Sequence, residues 1–209
     1  MNTTQQTQIE NTIAELYKDA KNDYRRMIKG VAKAVFRPVQ PADFKDAYLA
    51  ISQQQGQDLK ELIERHDIKN IVEFGTSFGI STLFLAQGVA KTGGHIITTE
   101  LIDSKAQQAI ANFRKAGVTD LIEVKIGDAL ETLKNHQEPI DLLLLDGWKD
   151  LYLPLFEMLE PHFHADTLVY VDNADMAESQ AFLKVVSYNK QYQLSTQYGG
   201  KVVLISKVR

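Results

Sequence analysis

The chain of 209 residues contains no cysteine. Disulfides and thiolate metal ligands are therefore excluded. It also lacks an apolar run of the roughly 18 residues that a membrane-spanning helix needs, and no signal-like leader stands at its start, so a soluble, cytoplasmic protein with no membrane partner is expected. Strong charge of either sign is missing too. A formal net charge of −4 gives no global pull toward nucleic acid, and small-molecule chemistry is favoured. Internal repeats and low-complexity linkers are absent. What is present is 44% hydrophobic content, enough at this length to bury roughly 70% of the unfolded surface around one core.

The N-terminal part is helical in pattern. Ile9, Ile13, Leu16, Tyr17, Ala20, Tyr24, Met27, Ile28, Val31 and Val35 recur at spacings of three and four, which predicts an amphipathic helix from Ile9 to Phe36 with a break near Gly30. Pro38 and Pro41 end it, and a second helical stretch is expected from about Asp43 to His66. Residues 1–55 thus form a helical extension, serving as a lid or as a homodimer contact, ahead of a catalytic domain over residues 56–209.

Beyond Lys69 the texture changes to short β-type runs alternating with helical segments. The runs are Ile71 to Phe74, His95 to Thr99, Leu121 to Ile126, Leu142 to Leu145 and Thr167 to Val171, which together predict an α/β fold with a parallel sheet. Ser104 and Gln107 have capping-box spacing at the start of a helix that Gly117 can close. Two last runs, Tyr192 to Thr196 and Lys201 to Lys207, flank Gly199-Gly200 and predict a closing antiparallel pair.

The ends of three successive strands each carry an acidic residue. The first strand runs into Glu73-Phe74-Gly75-Thr76-Ser77-Phe78-Gly79-Ile80-Ser81, a turn whose glycines allow a tight bend and a close backbone approach to a ligand. Its Gly-x-x-x-Gly spacing is not the Gly-x-Gly-x-x-Gly of dinucleotide folds, and the same residues would serve a plain packed turn. Glu100 ends the second strand, where a carboxylate can accept from both hydroxyls of a ribose. Asp128, after the third strand and followed by Ala129, can accept from an adenine amino group. A solvated loop or helix cap is the plainer role for each.

The chemistry concentrates after the fourth and fifth runs. Asp146 and Lys149 follow one, and Asp172-Asn173 follow the other. If the runs are neighbouring parallel strands, all four side chains emerge at one carboxyl edge of the sheet, where open α/β proteins bind ligands. Asp146, Asp172 and Asn173 offer the partial oxygen shell that magnesium takes, with a vicinal diol completing it. The cation would acidify a diol hydroxyl, and Lys149 could take its proton. Turn and cap roles are again the plainer readings.

The segment Leu145-Asp146-Gly147-Trp148-Lys149-Asp150-Leu151-Tyr152-Leu153-Pro154, followed by Val171-Asp172-Asn173, resembles the class I S-adenosylmethionine-dependent O-methyltransferases, most closely the catechol O-methyltransferase group. The likeness runs from about Tyr48 to the C-terminus. It implies that Asp146, Asp172 and Asn173 bind magnesium and that Lys149 is the catalytic base. It further implies that Glu73, Gly75, Ser77, Gly79 and Ser81 line the methionine end of the S-adenosylmethionine site. Glu100 would hold the ribose, with Leu101, Asp128, Ala129 and Trp148 around the adenine. The implied fold is a Rossmann-like, doubly wound, seven-stranded sheet of order 3-2-1-4-5-7-6 with the last strand antiparallel, acting on a small catechol-like or other vicinal diol.

The chain departs from the family at three places. Gly147 replaces a histidine, Tyr48 to Gly56 lacks the tryptophan that often gates the acceptor pocket, and Ser195 to Gly200 is short and without an acidic residue. Two rivals remain. One is an NAD-dependent oxidoreductase using Glu100 for ribose, although the Tyr-x-x-x-Lys pair occurs only as Tyr17 and Lys21. The other is a catalytically silent relative that binds cofactor or a protein partner.

Overall fold

The computed structural model describes residues 3–32 and 37–208. Seven strands form one sheet: β1 (Asn70–Phe74), β2 (His95–Glu100), β3 (Ile122–Ile126), β4 (Ile140–Leu145), β5 (Phe163–Val171), β6 (Tyr192–Gln197) and β7 (Val202–Lys207). Their order is β3-β2-β1-β4-β5-β7-β6, and β7 runs antiparallel to both β5 and β6. The expected topology is therefore the observed one.

The helices are α1 (Thr3–Ala20), α2 (Asp23–Ala32), α3 (Gln53–His66), α4 (Ile80–Thr92), α5 (Asp103–Ala116), α6 (Ala129–Thr132), α7 (Tyr152–Leu159) and α8 (Ala177–Tyr188). Among the described residues none is long and apolar enough to cross a membrane. Central strands covered on both faces need apolar residues in succession. In β4, Leu142 and Leu144 pack into one core with α1, α3, α4 and α5, while Leu143 and Leu145 pack into the other beneath α7 and α8. Ile9, Ile13 and Leu16 of α1 sit in the first of these cores. The N-terminal helices thus share the sheet's core, and the expected boundary at residue 55 falls inside α3.

The N-terminal helix breaks at Lys21-Asn22, not near Gly30. Gly30 stays helical, and its missing side chain lets the following segment pass close to α2: a Cβ there would lie 2.5 Å from the Asp43 carbonyl oxygen. Val35 and Phe36, placed by periodicity at the end of that helix, lie outside the described residues. The helix expected from Asp43 begins only at Gln53. Pro41–Phe44 form a single 3-10 turn, and Ser52 starts α3 with a capping box, its Oγ accepting from Gln55 N at 3.2 Å while Gln55 Oε1 accepts from Ser52 N at 3.0 Å. The Ser104-Gln107 capping box does not form. Ile102 is the N-cap of α5, fixed by donation of its N–H to Glu100 Oε1 at 2.9 Å, which leaves Ser104 within the first turn. Gly117 does close α5, in the left-handed region with φ 69°.

Helices α3 and α4 meet where Gly56 faces Phe84, and a Cβ on Gly56 would stand 2.3 Å from that ring. Since overpacking a tight core costs about 1 to 3 kcal/mol, Gly56→Ala is expected to lower the thermal unfolding midpoint by several degrees. An unchanged midpoint would mean that the two helices separate at little cost.

Candidate active site

Parallel pairing of β4 with β5 sets Leu145 opposite Val171, so the residues that follow them leave the sheet side by side. Two backbone bonds prolong the ladder: Asp146 N donates to Phe74 O at 2.9 Å, and Asp172 N donates to Leu145 O at 3.0 Å. The two carboxylates are consequently held next to one another. Asn173, in the left-handed region at φ 53°, folds its amide back over both, Nδ2 lying 3.1 Å from Asp146 Oδ1 and 2.8 Å from Asp172 Oδ2. Lys149 Nζ donates to Gly147 O at 2.8 Å and stands 3.8 Å from Asp146 Oδ1. The four residues expected to meet do meet.

Burial, and then the Asp172 charge beside it, push the Asp146 carboxyl well above the usual carboxylate range. A pair of this kind needs donors or a cation. In the structure the donors are Asn173 and Gln55, whose Nε2 lies 2.7 Å from Asp172 Oδ1, with Lys201 Nζ 4.0 Å from the same oxygen. Among the described residues no three His, Asp or Glu side chains gather as a metal-holding group. Two carboxylates and an amide oxygen nevertheless fit magnesium, which is usually held by one or two carboxylates with water or ligand oxygens completing the shell. A half-turn of the Asn173 amide exchanges its nitrogen for its oxygen, so the group that now bridges the carboxylates with N–H could face a cation with Oδ1.

Asp146, Lys149, Asp172, Asn173 and Lys201 line one end of a cavity of about 1050 Å³. Ligand sites commonly span roughly 300 to 1000 Å³, so the space is large enough for a nucleoside-sized molecule together with a second small one. At the other end Glu100 is almost fully buried, and its two oxygens accept from Ser77 N at 2.8 Å and Ile102 N at 2.9 Å. A carboxylate has about four acceptor positions, which leaves room for ribose hydroxyls. Leu101, Asp128, Ala129 and Trp148 also line the cavity, with Asp128 capping α6 by accepting from Leu130 N at 2.9 Å.

In the glycine turn, Gly75 adopts φ 107°, and a Cβ there would lie 2.6 Å from Asp146 O. Gly75, Ser77 and Ser81 are on the cavity wall; Glu73 and Gly79, expected beside them, are not. Glu73 lies fully buried under the turn, where Ser81 Oγ, Thr82 Oγ1 and Thr98 Oγ1 donate to it at 2.5, 2.6 and 2.6 Å. Gly79 instead begins α4 with φ 88°, its missing Cβ leaving space for the Phe113 ring. Both residues build the turn from below.

Tyr17 and Lys21 line the cavity as well. The Tyr17 hydroxyl donates to Ile51 O at 2.9 Å, and burial pushes its pKa up to about 12, opposite to what an oxidoreductase tyrosine requires.

A seven-stranded sheet of this order, with a buried carboxylate at the tip of β2 and an oxygen-rich edge at β4 and β5, defines a class I methyltransferase fold. The O-methyltransferase family matches residues 35–190, and the chain belongs to that family. It is 33% identical over 126 residues to a catechol O-methyltransferase of Mycobacterium tuberculosis and 31% identical over 129 residues to one of Niastella koreensis. Each match covers 60% of this chain, but only 57% and 58% of those relatives' lengths. The fold is shared with an O-methyltransferase from Bacillus cereus solved with SAH, at TM-score 0.69 and 22% identity over 88% of this chain and 97% of the other. It is also shared with the SAH-bound Podospora anserina methyltransferase PaMTH1, at TM-score 0.71 and 19% identity over 96% of each chain.

Three polar residues of the site escaped the reading of the sequence. Gln55 was visible as the fourth residue of Ser52-Gln53-Gln54-Gln55, a capping-box spacing, although its bond to Asp172 was not. Lys105 is buried at 4% exposure, with Nζ 3.3 Å from Ser77 Oγ and burial lowering its pKa; nothing in its local sequence separates it from a solvated helix lysine. Lys201 lies just past the glycine pair, without a motif of its own.

Burial outweighs three hydroxyl donors and raises the Glu73 pKa. The folded chain therefore keeps this proton to higher pH than the unfolded chain, in which a glutamate loses it near about 4.3. The resulting stability is complete below that range and is lost as pH rises through the raised pKa. Thermal midpoints measured against pH are expected to fall for the native chain relative to Glu73→Gln across this window. Parallel curves would contradict the account of Glu73.

Proposed function

We propose that the protein is a magnesium-dependent O-methyltransferase that methylates a hydroxyl of a small catechol-like or other vicinal diol, using S-adenosylmethionine. The observation that carries this reading is the union, in one cavity, of the Asp146-Asp172-Asn173 oxygen set and Lys149 with a ribose-type clamp at Glu100. That both bacterial relatives are catechol O-methyltransferases supports a catechol acceptor.

When bound, the cation supplies positive charge that lowers the pKa of the acceptor hydroxyls, and the cofactor supplies the methyl on its sulfonium. Asp146, Asp172 and Asn173 would hold the cation beside the acceptor hydroxyls. Lys149 receives the proton of one hydroxyl at Nζ, and its bond to Gly147 O aims that atom. Glu100 would hold the ribose. Leu101, Asp128, Ala129 and Trp148 would enclose the adenine, and Gly75, Ser77 and Ser81 would line the methionine end. Helices α1 and α2 contribute Tyr17, Asp23 and Met27 to the cavity wall and exclude water. Holding nucleophile and methyl in near-attack geometry can supply roughly 7 to 11 kcal/mol.

General-base removal typically costs about 10² to 10⁴ in rate. Lys149→Ala is accordingly expected to lower kcat by that order with SAH affinity retained. Asp172→Ala should abolish cation-dependent transfer, and full activity in excess chelator would contradict the magnesium reading. Calorimetric titration should show binding of SAH and none of NADH, the reverse result favouring an oxidoreductase.

A further inference from the structure

We infer that Gln55 is a positioning residue: it ties one oxygen of the Asp172 carboxylate to α3, so that the other oxygen alone faces Asp146. The inference rests on the magnesium reading of the site. Gln55 is 1% exposed in the first turn of α3, and Asp172 is 2% exposed just past β5. Gln55 Nε2 donates to Asp172 Oδ1 at 2.7 Å. Asn173 Nδ2, which also reaches Asp146 Oδ1 at 3.1 Å, donates to the other oxygen, Asp172 Oδ2, at 2.8 Å. Oδ1 is therefore turned to α3 and Oδ2 to Asp146.

The orientation of the Gln55 amide is settled by its other end. Oε1 accepts from Ser52 N at 3.0 Å and from Lys201 Nζ at 3.3 Å. Exchanging the amide's nitrogen and oxygen would set Nε2 against an N–H and an ammonium, and Oε1 against a carboxylate oxygen, opposing like groups at all three contacts. Burial adds the desolvation cost of every partner lost. The Asp172 backbone is held independently: its N–H donates to Leu145 O at 3.0 Å, and its carbonyl accepts from the Tyr152 hydroxyl at 3.2 Å. What remains free in Asp172 is rotation of its side chain, and Gln55 restrains it.

The same side chain joins Asp172 to the segment that walls the cavity. Ser52 follows Leu49, Ala50 and Ile51, all on that wall, and the Tyr17 hydroxyl of α1 donates to Ile51 O at 2.9 Å. Gln55 itself is not on the wall, so it acts through Asp172 and not on a ligand directly. Partners of this kind orient a metal-ligating carboxylate, and their loss typically costs about 10- to 100-fold in metal affinity.

The test measures manganese affinity, by electron paramagnetic resonance of the free ion, in the SAH-loaded native chain, in Gln55→Met and in Ser52→Ala. Ser52→Ala removes the Oγ that caps α3 but keeps the Ser52 N–H that holds Gln55, so it separates helix stability from carboxylate position. Both variants should lower the thermal midpoint by a few degrees. Gln55→Met alone should weaken manganese binding, by roughly 10- to 100-fold, and raise the magnesium needed for half-maximal turnover by the same factor, with SAH affinity retained. Native-like manganese affinity in Gln55→Met, or an equal loss in Ser52→Ala, overturns the inference. Gln55→Asn, whose amide is one methylene short of Asp172, takes the place of Gln55→Met if that variant does not fold. Should the native chain bind no manganese, the magnesium reading fails, and crystal structures of the SAH complexes decide on Gln55. An Asp172 carboxylate turned from its native position in the Gln55 variant then upholds the positioning role, and one left in place overturns it.

Discussion

Two carboxylates forced together at the tips of neighbouring strands are the constraint around which the site is built. Parallel registry leaves Asp146 and Asp172 no way to diverge, and burial raises the cost of charging both. Everything near them answers that cost. Asn173 accepts a left-handed backbone to bring one amide onto both carboxylates, Gln55 reaches across from α3, and Lys149 and Lys201 approach from either side. Packing is constrained as tightly as charge: Gly75 must be bare because the Asp146 carbonyl occupies the place of a Cβ, and the Phe74 ring fills the same place at Gly147.

The cofactor turn and the N-terminal helices form one mechanical unit with this site. The Tyr48 and Phe78 rings stack with centroids 4.3 Å apart, Arg26 of α2 lies over Tyr48, and Lys105 of α5 lies over Phe78. Ser77, at φ 49°, links the layers by donating its backbone N–H to Glu100 and its Oγ–H to Tyr48 O at 2.7 Å. A movement of α2 would therefore be felt at Glu100. Cation–π and aromatic contacts of this kind contribute about 0.5 to 1.5 kcal/mol each, enough to order the wall without locking it.

Much of this was legible in the sequence because it depends on short-range pattern. Apolar runs marked every strand, and the residues just past them marked the strand tips, so Asp146, Lys149, Asp172 and Asn173 could be placed at one edge. Sheet order came from the family likeness and not from pattern. What stayed hidden depends on contacts between segments distant in sequence. The path from Lys45 to Ser52 is set by Asp23 and Ser77 reaching it from elsewhere, and the close passage of the Asp43 carbonyl requires a bare residue at Gly30 within a continuing helix. Glu73 reads as a pocket residue until three hydroxyls from two other elements are seen to enclose it. Lys105 and Lys201 look like solvated lysines because tertiary structure alone brings them to the cavity.

The most direct test of the central claim is a crystal structure of the SAH complex grown with manganese, with data collected at the metal's absorption edge. The account predicts one anomalous peak per chain between Asp146 and Asp172, with the Asn173 amide turned to present Oδ1 to it. A structure showing no peak there, with the Asn173 nitrogen still spanning the two carboxylates, would contradict it.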